Sequence, residues 1–133
     1  MYKRQIKDVI SRLDNVTKGY DKHFLNIAIA YGGQNELVDA VRKIADDIKD
    51  GKLNSNDIDK KTIESKLYTS HLPQSSPDMI LRTSGEKRMS GFLMWQSVYS
   101  ELVFLDIFWP EFRKIDLMRA IRTFQKRKRR LGK

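Results

Sequence analysis

Three short apolar runs, at residues 24–31, 79–81 and 103–109, are separated by stretches in which apolar residues return every three or four positions. Short runs rich in β-branched and aromatic side chains suit strands covered on both faces, whereas the three-and-four spacing suits helices packed along one stripe. Helical stretches between strands provide crossovers, so the strands are expected to run parallel. The first run is closed by Gly32-Gly33 and the last by Pro110, residues that end strands. The expected class is α/β: a parallel-sheet sandwich with helices on both faces, in a single domain over residues 1–133.

At 133 residues the chain is long enough for one ordinary core, and 40% apolar with 32% charged residues is a globular balance. No apolar run approaches the roughly 18 to 20 residues of a membrane span. The opening MYKRQIKDVISRL lacks an apolar signal-peptide core, which points to the cytoplasm. With no cysteine, disulfides and thiolate metal sites are excluded. His23 and His71 stand alone, without metal-ligand spacing.

The formal charge of +9 is concentrated at one end. Residues 113–133 hold ten Lys or Arg against the single acid Asp116, while the preceding residues balance. Such a segment can meet nucleic acid, anionic lipid or a diphosphate. Equally, it can be a solvated helix end whose cations face the C-terminal dipole.

Along the chain, residues 3–14 place Ile6, Val9, Ile10 and Leu13 on one helical face, and residues 15–22 read as a connector. After the first run, Leu37, Val38, Val41, Ile44, Ala45 and Ile48 recur at helical spacing, with Gly51 as a stop. A shorter helix over residues 55–67 carries Ile58, Ile63 and Leu67, with Ser55 or Asn56 as cap. Residues 71–77, rich in Pro and Ser, form a loop. Residues 92–100 return to a helical pattern, and a last helix runs from about Asp116 into the basic end.

Parallel α/β sheets bind ligands in loops after strand C-termini. Two such loops are prominent, Tyr31-Gly-Gly-Gln34 and residues 82–91. The second, Arg-Thr-Ser-Gly-Glu-Lys-Arg-Met-Ser-Gly, gathers three cations, three hydroxyls and two glycines. Glycines let backbone amides approach a ligand, and arginine grips phosphate with two nitrogens at once. The loop reads as an anion site, against the plainer alternative of a charged surface loop. It is not a Walker loop, because the GxxxxGK[ST] spacing is absent.

The run DMILRTSGEKRMSGFLMWQSVYSE at residues 78–101 resembles the signature of cis-prenyltransferases, the undecaprenyl diphosphate synthase family. The resemblance extends through LNIAIAYGG at 25–33, FWPEF at 108–112 and RRLG at 129–132. It covers residues 20–133 and is closest to the archaeal, long-chain branch. It implies condensation of isopentenyl diphosphate with an allylic diphosphate to give Z-polyprenyl diphosphates, with Mg²⁺. By position, Arg82, Arg88 and Ser90 match residues that hold isopentenyl diphosphate, and Glu101 matches a Mg²⁺-binding carboxylate. Arg130 and Gly132 match an RxG motif that reaches the partner subunit's site, implying a homodimer or a heteromer. Product handling would add peripheral membrane association. Phe92, Leu93, Trp95 and Tyr99 are expected on a buried or interface face, and Trp109 and Phe112 in the core or a dimer contact.

Several positions depart from the family pattern. Lys87 stands where many relatives carry His, Gly91 where Asn is common, and Ala30 and Gln34 where Asn and Arg flank Tyr-Gly-Gly. The family's H-x-x-x-D-G-N-x-R segment, with its catalytic Asp, has no counterpart among these residues. No catalytic residue is therefore assigned, and the chain is expected to be inactive alone, as a fragment, a split gene product or a separate reading frame. One alternative is a non-catalytic partner subunit that lends its tail to a complete synthase. Nucleic-acid binding through the basic end is disfavoured, since no helix-turn-helix, zinc finger or RRM signature accompanies it.

Overall fold

The computed structural model describes residues 2–127. Helix α1 spans Tyr2–Thr17 and α2 spans Gly33–Lys49. A 3-10 turn at Ser55–Asp57 leads into the short α3, Lys60–Glu64. Strand β1 (Met79–Arg82) pairs in parallel with β2 (Glu101–Phe104), setting Met79 opposite Glu101 and Arg82 opposite Phe104. Helix α4, Lys114–Lys126, closes the described chain. The α/β class with a parallel sheet thus holds.

Local chemistry explains several boundaries. Asp59 caps α3 by accepting from the Thr62 backbone N–H at 2.8 Å, while the Thr62 hydroxyl accepts from the Asp59 N–H at 3.3 Å, a reciprocal capping box. At the start of α4, Asp116 Oδ2 accepts from the Arg113 backbone N–H and from its Nε, each at 3.1 Å. Those bonds hold the buried Asp116 carboxyl below the usual carboxylate range.

The packed interior is small. Ala40 and Ile44 of α2, Leu67, Val103 of β2 and Ala120 of α4 are its buried apolar members. Helix α2 is fastened to α3 and the turn after it by the Lys66–Asp47 ion pair and by Lys43 Nζ donating to the Lys66 carbonyl at 3.1 Å. Val103 alone of the β2 residues is buried, and α4 packs on that strand.

Four expectations are corrected. Residues 24–31 are not a strand, and Phe24, Leu25, Ile27 and Ile29 are exposed, Leu25 to 86%. A strand needs a hydrogen-bonded neighbour, and the described ladder consists of β1 and β2 only. Residues 92–99 form consecutive turns rather than a helix; Leu93 has φ of 46°, outside the right-handed helical region, and follows Ser90 and Gly91 at 49° and 76°. The third strand begins two residues earlier than expected, at Glu101, whose N–H donates to the Asp78 carbonyl at 3.0 Å and opens the ladder. Its far end gives way to a 3-10 turn at Trp109–Glu111. Trp109 is 70% exposed and stacks on Phe112 with ring centroids 5.4 Å apart, so of core and dimer contact, the core is ruled out for it.

The buried face of α2 also differs from the expected one. Gly33, Glu36, Ala40 and Ile44 face inward, while Val38 and Val41 face solvent. The periodicity predicts the helix correctly, but a carboxylate occupies a position the apolar pattern gives to Leu37 or Val38.

Candidate functional site

The loop that follows β1 carries the chemistry. Its conformation is set by left-handed backbone at Ser84 (φ 79°) and Gly85 (φ 71°), and again at Ser90 and Gly91. The Ser84 N–H donates to the Ile107 carbonyl at 2.7 Å and the Gly85 N–H to the Leu105 carbonyl at 3.0 Å, which fixes the loop's first turn against the segment after β2. The positive φ at Gly85 favours glycine, and a Cβ there would stand 2.6 Å from Asp106 Oδ1, which would have to swing aside.

Arg82, at the C-terminal end of β1, turns back over this loop. Its Nη1 donates to the Arg88 carbonyl oxygen and, at 3.0 Å, to Ser90 Oγ. Three of the residues expected to hold a diphosphate, Arg82, Arg88 and Ser90, are therefore brought together. The Arg88 guanidinium is exposed and ion-paired with Glu86 at 2.5 Å, so an anion arriving here competes with one carboxylate for it.

Glu101 stands elsewhere in the strand pair. It is opposite Met79, three residues back along the sheet from Arg82, which is roughly 10 Å at ordinary strand rise. Its Oε2 accepts from Arg127 Nη1 at 2.8 Å, and the same nitrogen donates to the Leu102 carbonyl at 2.8 Å. Among the described residues no group of three or more His, Asp or Glu side chains could hold a metal ion. One carboxylate fits a Mg²⁺ ion carried in by phosphate and water, which is how that ion is usually held, but it does not make a closed protein site. Arg130 and Gly132 lie outside the described residues.

Behind the loop sits a polar cluster that the sequence pattern does not reveal. Glu36 is 1% exposed. It accepts from the Tyr68 backbone N–H at 2.8 Å, from Gln96 Nε2 at 3.1 Å and from the Tyr31 hydroxyl. Gln96 is 2% exposed and also donates to Thr69 Oγ1 at 3.0 Å. Burial, then the bond to Glu36 and the nearby charge, push the Tyr31 phenol well above its ordinary value, while a bond with the Leu93 backbone pulls it down. The Tyr31 ring meets Phe92 edge-on at 5.6 Å and Tyr68 at 6.3 Å. The one signal that could have found this cluster is an acid one turn into a helix that follows Tyr-Gly-Gly, which reads more simply as a helix-dipole acid.

A family model described as "Putative undecaprenyl diphosphate synthase" matches residues 1–132. The chain belongs to this prenyltransferase family. A tritrans,polycis-undecaprenyl-diphosphate synthase (geranylgeranyl-diphosphate specific) of Methanocaldococcus jannaschii is 54% identical over 130 residues, covering 98% of this chain and 46% of that protein. Its namesake from Methanopyrus kandleri is 53% identical over 97% of this chain and 47% of its own length. Among solved structures, lavandulyl diphosphate synthase from Lavandula x intermedia, in complex with dimethylallyl diphosphate, superposes with a TM-score of 0.93. It shares 35% identity, with 96% of this chain and 54% of that one covered. A probable undecaprenyl diphosphate synthase from Campylobacter jejuni gives a TM-score of 0.79 at 28% identity, covering 97% of this chain and 57% of that one. The chain spans about half the length of the curated relatives it matches. Among its described residues no helix is long and apolar enough to cross a membrane.

Proposed function

We propose that this chain provides the isopentenyl diphosphate site of a cis-prenyltransferase that extends an allylic diphosphate into a Z-polyprenyl diphosphate. The observation that carries the reading is the convergence of Arg82 Nη1 on Ser90 Oγ at 3.0 Å, beside Arg88, in a loop with two left-handed turns. A diphosphate needs several cations and hydroxyl or amide donors held in advance of its arrival. Arg82 bridges the two ends of the loop and still has donors left over, because a guanidinium carries five N–H groups. Arg88 exchanges Glu86 for a more highly charged anion, and Ser90 completes the grip. Glu101 would hold a Mg²⁺ ion that neutralises diphosphate charge when the substrate is bound. Arg130 and Gly132 are proposed to add phosphate contacts across a homodimer or heteromer interface.

Chain elongation also needs an allylic site and a catalytic carboxylate, and the H-x-x-x-D-G-N-x-R segment that would supply them is absent from these 133 residues. The reading therefore predicts substrate binding without turnover by the chain alone. Calorimetric titration with isopentenyl diphosphate, with and without Mg²⁺, tests it. The wild-type chain is expected to bind, and Arg82→Ala to bind at least roughly tenfold more weakly, the loss of charged hydrogen bonds. No binding by the wild type, or equal binding by the variant, defeats the proposal.

A second reading, as partner subunit of a complete synthase in the cytoplasm or at a membrane surface, is favoured by the exposed apolar segment with Phe24, Leu25, Ile27 and Ile29. Co-purification with a full-length synthase, lost on Leu25→Asp, would support it; purification of the two proteins apart would remove it.

A further inference from the structure

Glu36 takes no part in the anion grip, yet it is among the most enclosed side chains of the protein. Enclosing a carboxylate is strongly unfavourable unless donors replace its water. Here the donors come from the Tyr31 hydroxyl, the Tyr68 backbone and the Gln96 amide. Two of those three donors lead to the same stretch of chain. Tyr31 sets its ring edge against Phe92 with centroids 5.6 Å apart, and Gln96 itself lies four residues beyond Phe92.

A further tie comes from the first turn of α2. The Gly33 N–H donates to the Gly91 carbonyl at 3.0 Å. That approach is open only to glycine, since a Cβ at residue 33 would stand 2.2 Å from the same oxygen and 2.9 Å from Met94 Cγ. Gly91, Phe92 and Gln96 are thus each tied to the Tyr31–Glu36 segment. The tied stretch starts one residue after Ser90.

The backbone in this stretch needs such support. Ser90 and Leu93 carry side chains at φ of 49° and 46°, a conformation unfavourable for any residue with a Cβ. Backbone of this kind persists where its surroundings over-determine it. On the far side, Arg82 holds the Arg88 carbonyl and Ser90 Oγ. The loop is held between a guanidinium in front and a buried carboxylate behind.

We infer that Glu36 is a positioning residue for the anion loop: through Tyr31 and Gln96 it fixes residues 91–96, and so sets Ser90 and Arg88 where a diphosphate meets them. The inference rests on the proposed isopentenyl diphosphate site and adds a residue that touches no ligand. Glu36→Gln keeps an oxygen for the Tyr68 N–H and the Gln96 amide, and turns its own NH₂ toward the Tyr31 oxygen, which can accept. Glu36→Ala removes every acceptor.

The test compares wild type, Glu36→Ala, Glu36→Gln and Val103→Ala by isopentenyl diphosphate titration, thermal melting and backbone amide NMR. Val103→Ala opens the core at β2 and reports what lost stability alone does to binding. Glu36→Ala is expected to weaken binding at least roughly tenfold and to move the Ser90 and Gly91 amide signals. Glu36→Gln should return affinity to within about threefold of wild type, and Val103→Ala should melt lower with affinity unchanged. Wild-type affinity in Glu36→Ala, or parallel losses of stability and affinity in Val103→Ala, would overturn the inference. If Glu36→Ala does not fold, Tyr31→Phe and Gln96→Ala, each removing one donor, replace it, and wild-type affinity in both has the same force. Failure of the wild type to bind would defeat the proposed function instead, while unmoved Ser90 and Gly91 signals in Glu36→Ala would separately defeat the role of Glu36.

Discussion

Arg127, the residue that closes α4, donates from one guanidinium nitrogen both to Glu101 Oε2 and to the Leu102 carbonyl, each at 2.8 Å. The last described residue is thereby fastened to the start of β2. The position expected to serve a cation is already paired with one of the protein's own.

Because the pair is partly exposed, its loss is expected to cost about 0.5–1 kcal/mol. Arg127→Ala should melt a few degrees lower than wild type in low salt. At roughly 1 M salt, where the screening length falls to about 3 Å, the two curves should draw together. Identical melting at low salt would mean the pair holds nothing.

Glu101→Gln keeps the size of the side chain and removes its charge. Titration with isopentenyl diphosphate should give wild-type affinity for this variant without metal, and lose most of the additional affinity that Mg²⁺ confers on the wild type. An unchanged Mg²⁺ effect would show that Glu101 is not a metal ligand.

Gly33→Ala places a methyl group against the Gly91 carbonyl and Met94. Overpacking of this kind costs about 1–3 kcal/mol, and the Gly33–Gly91 hydrogen bond is lost with it. The variant should melt several degrees lower and bind isopentenyl diphosphate more weakly, measured by thermal scan and calorimetry. Gly32→Ala, where the added carbon meets nothing nearer than Asn35 Nδ2 at 3.6 Å, serves as the tolerated control.

Arg82→Lys retains the charge but not the planar fork. One ammonium cannot hold the Arg88 carbonyl and Ser90 Oγ and still offer a flat pair of donors to phosphate. Binding is expected to fall by about tenfold, close to the effect of Arg82→Ala. Wild-type affinity in the lysine variant would reduce Arg82 to a point charge.

The Tyr31 phenol is raised above 10.0 in the folded chain, so the fold binds its proton more tightly than the unfolded chain does. The stabilisation is complete below pH 10 and is lost as pH rises above it, because the unfolded state releases the proton first. Denaturant titrations at stepped alkaline pH should show stability falling more steeply for wild type than for Tyr31→Phe. Tyr68, also raised through its 2.5 Å bond to Asp39, keeps part of the slope in that variant. Superimposable pH profiles would contradict the assignment.

The residues proposed to meet a ligand were legible in the sequence, whereas those that hold them in place were not. Arg82, Arg88 and Ser90 could be named because the loop resembles the cis-prenyltransferase signature position by position, and the structure brings them together. Glu36, Tyr31 and Gln96 could not. Periodicity tells which residues of one helix share a face, but not that a neighbouring segment brings three donors to a carboxylate on that face. The helical pattern at residues 92–100 misled for a related reason, since left-handed backbone at Ser90 and Leu93 is imposed from outside the segment.

By itself, the sequence determined the α/β class, the helices at either end of the chain, strand β1 and the cationic, hydroxyl-rich make-up of the loop after it, all of which depend on residue type and near-neighbour spacing. Only the tertiary structure decided that Glu36 is buried while Val41 is not, that Gly33 must be glycine, and that Arg127 claims Glu101. It also decided that residues 24–31, for all their β-branched side chains, form no strand among the described residues. The physical reason is common to all four: burial, close approach, ion pairing and strand pairing are relations between segments distant along the chain, and no local pattern contains the partner.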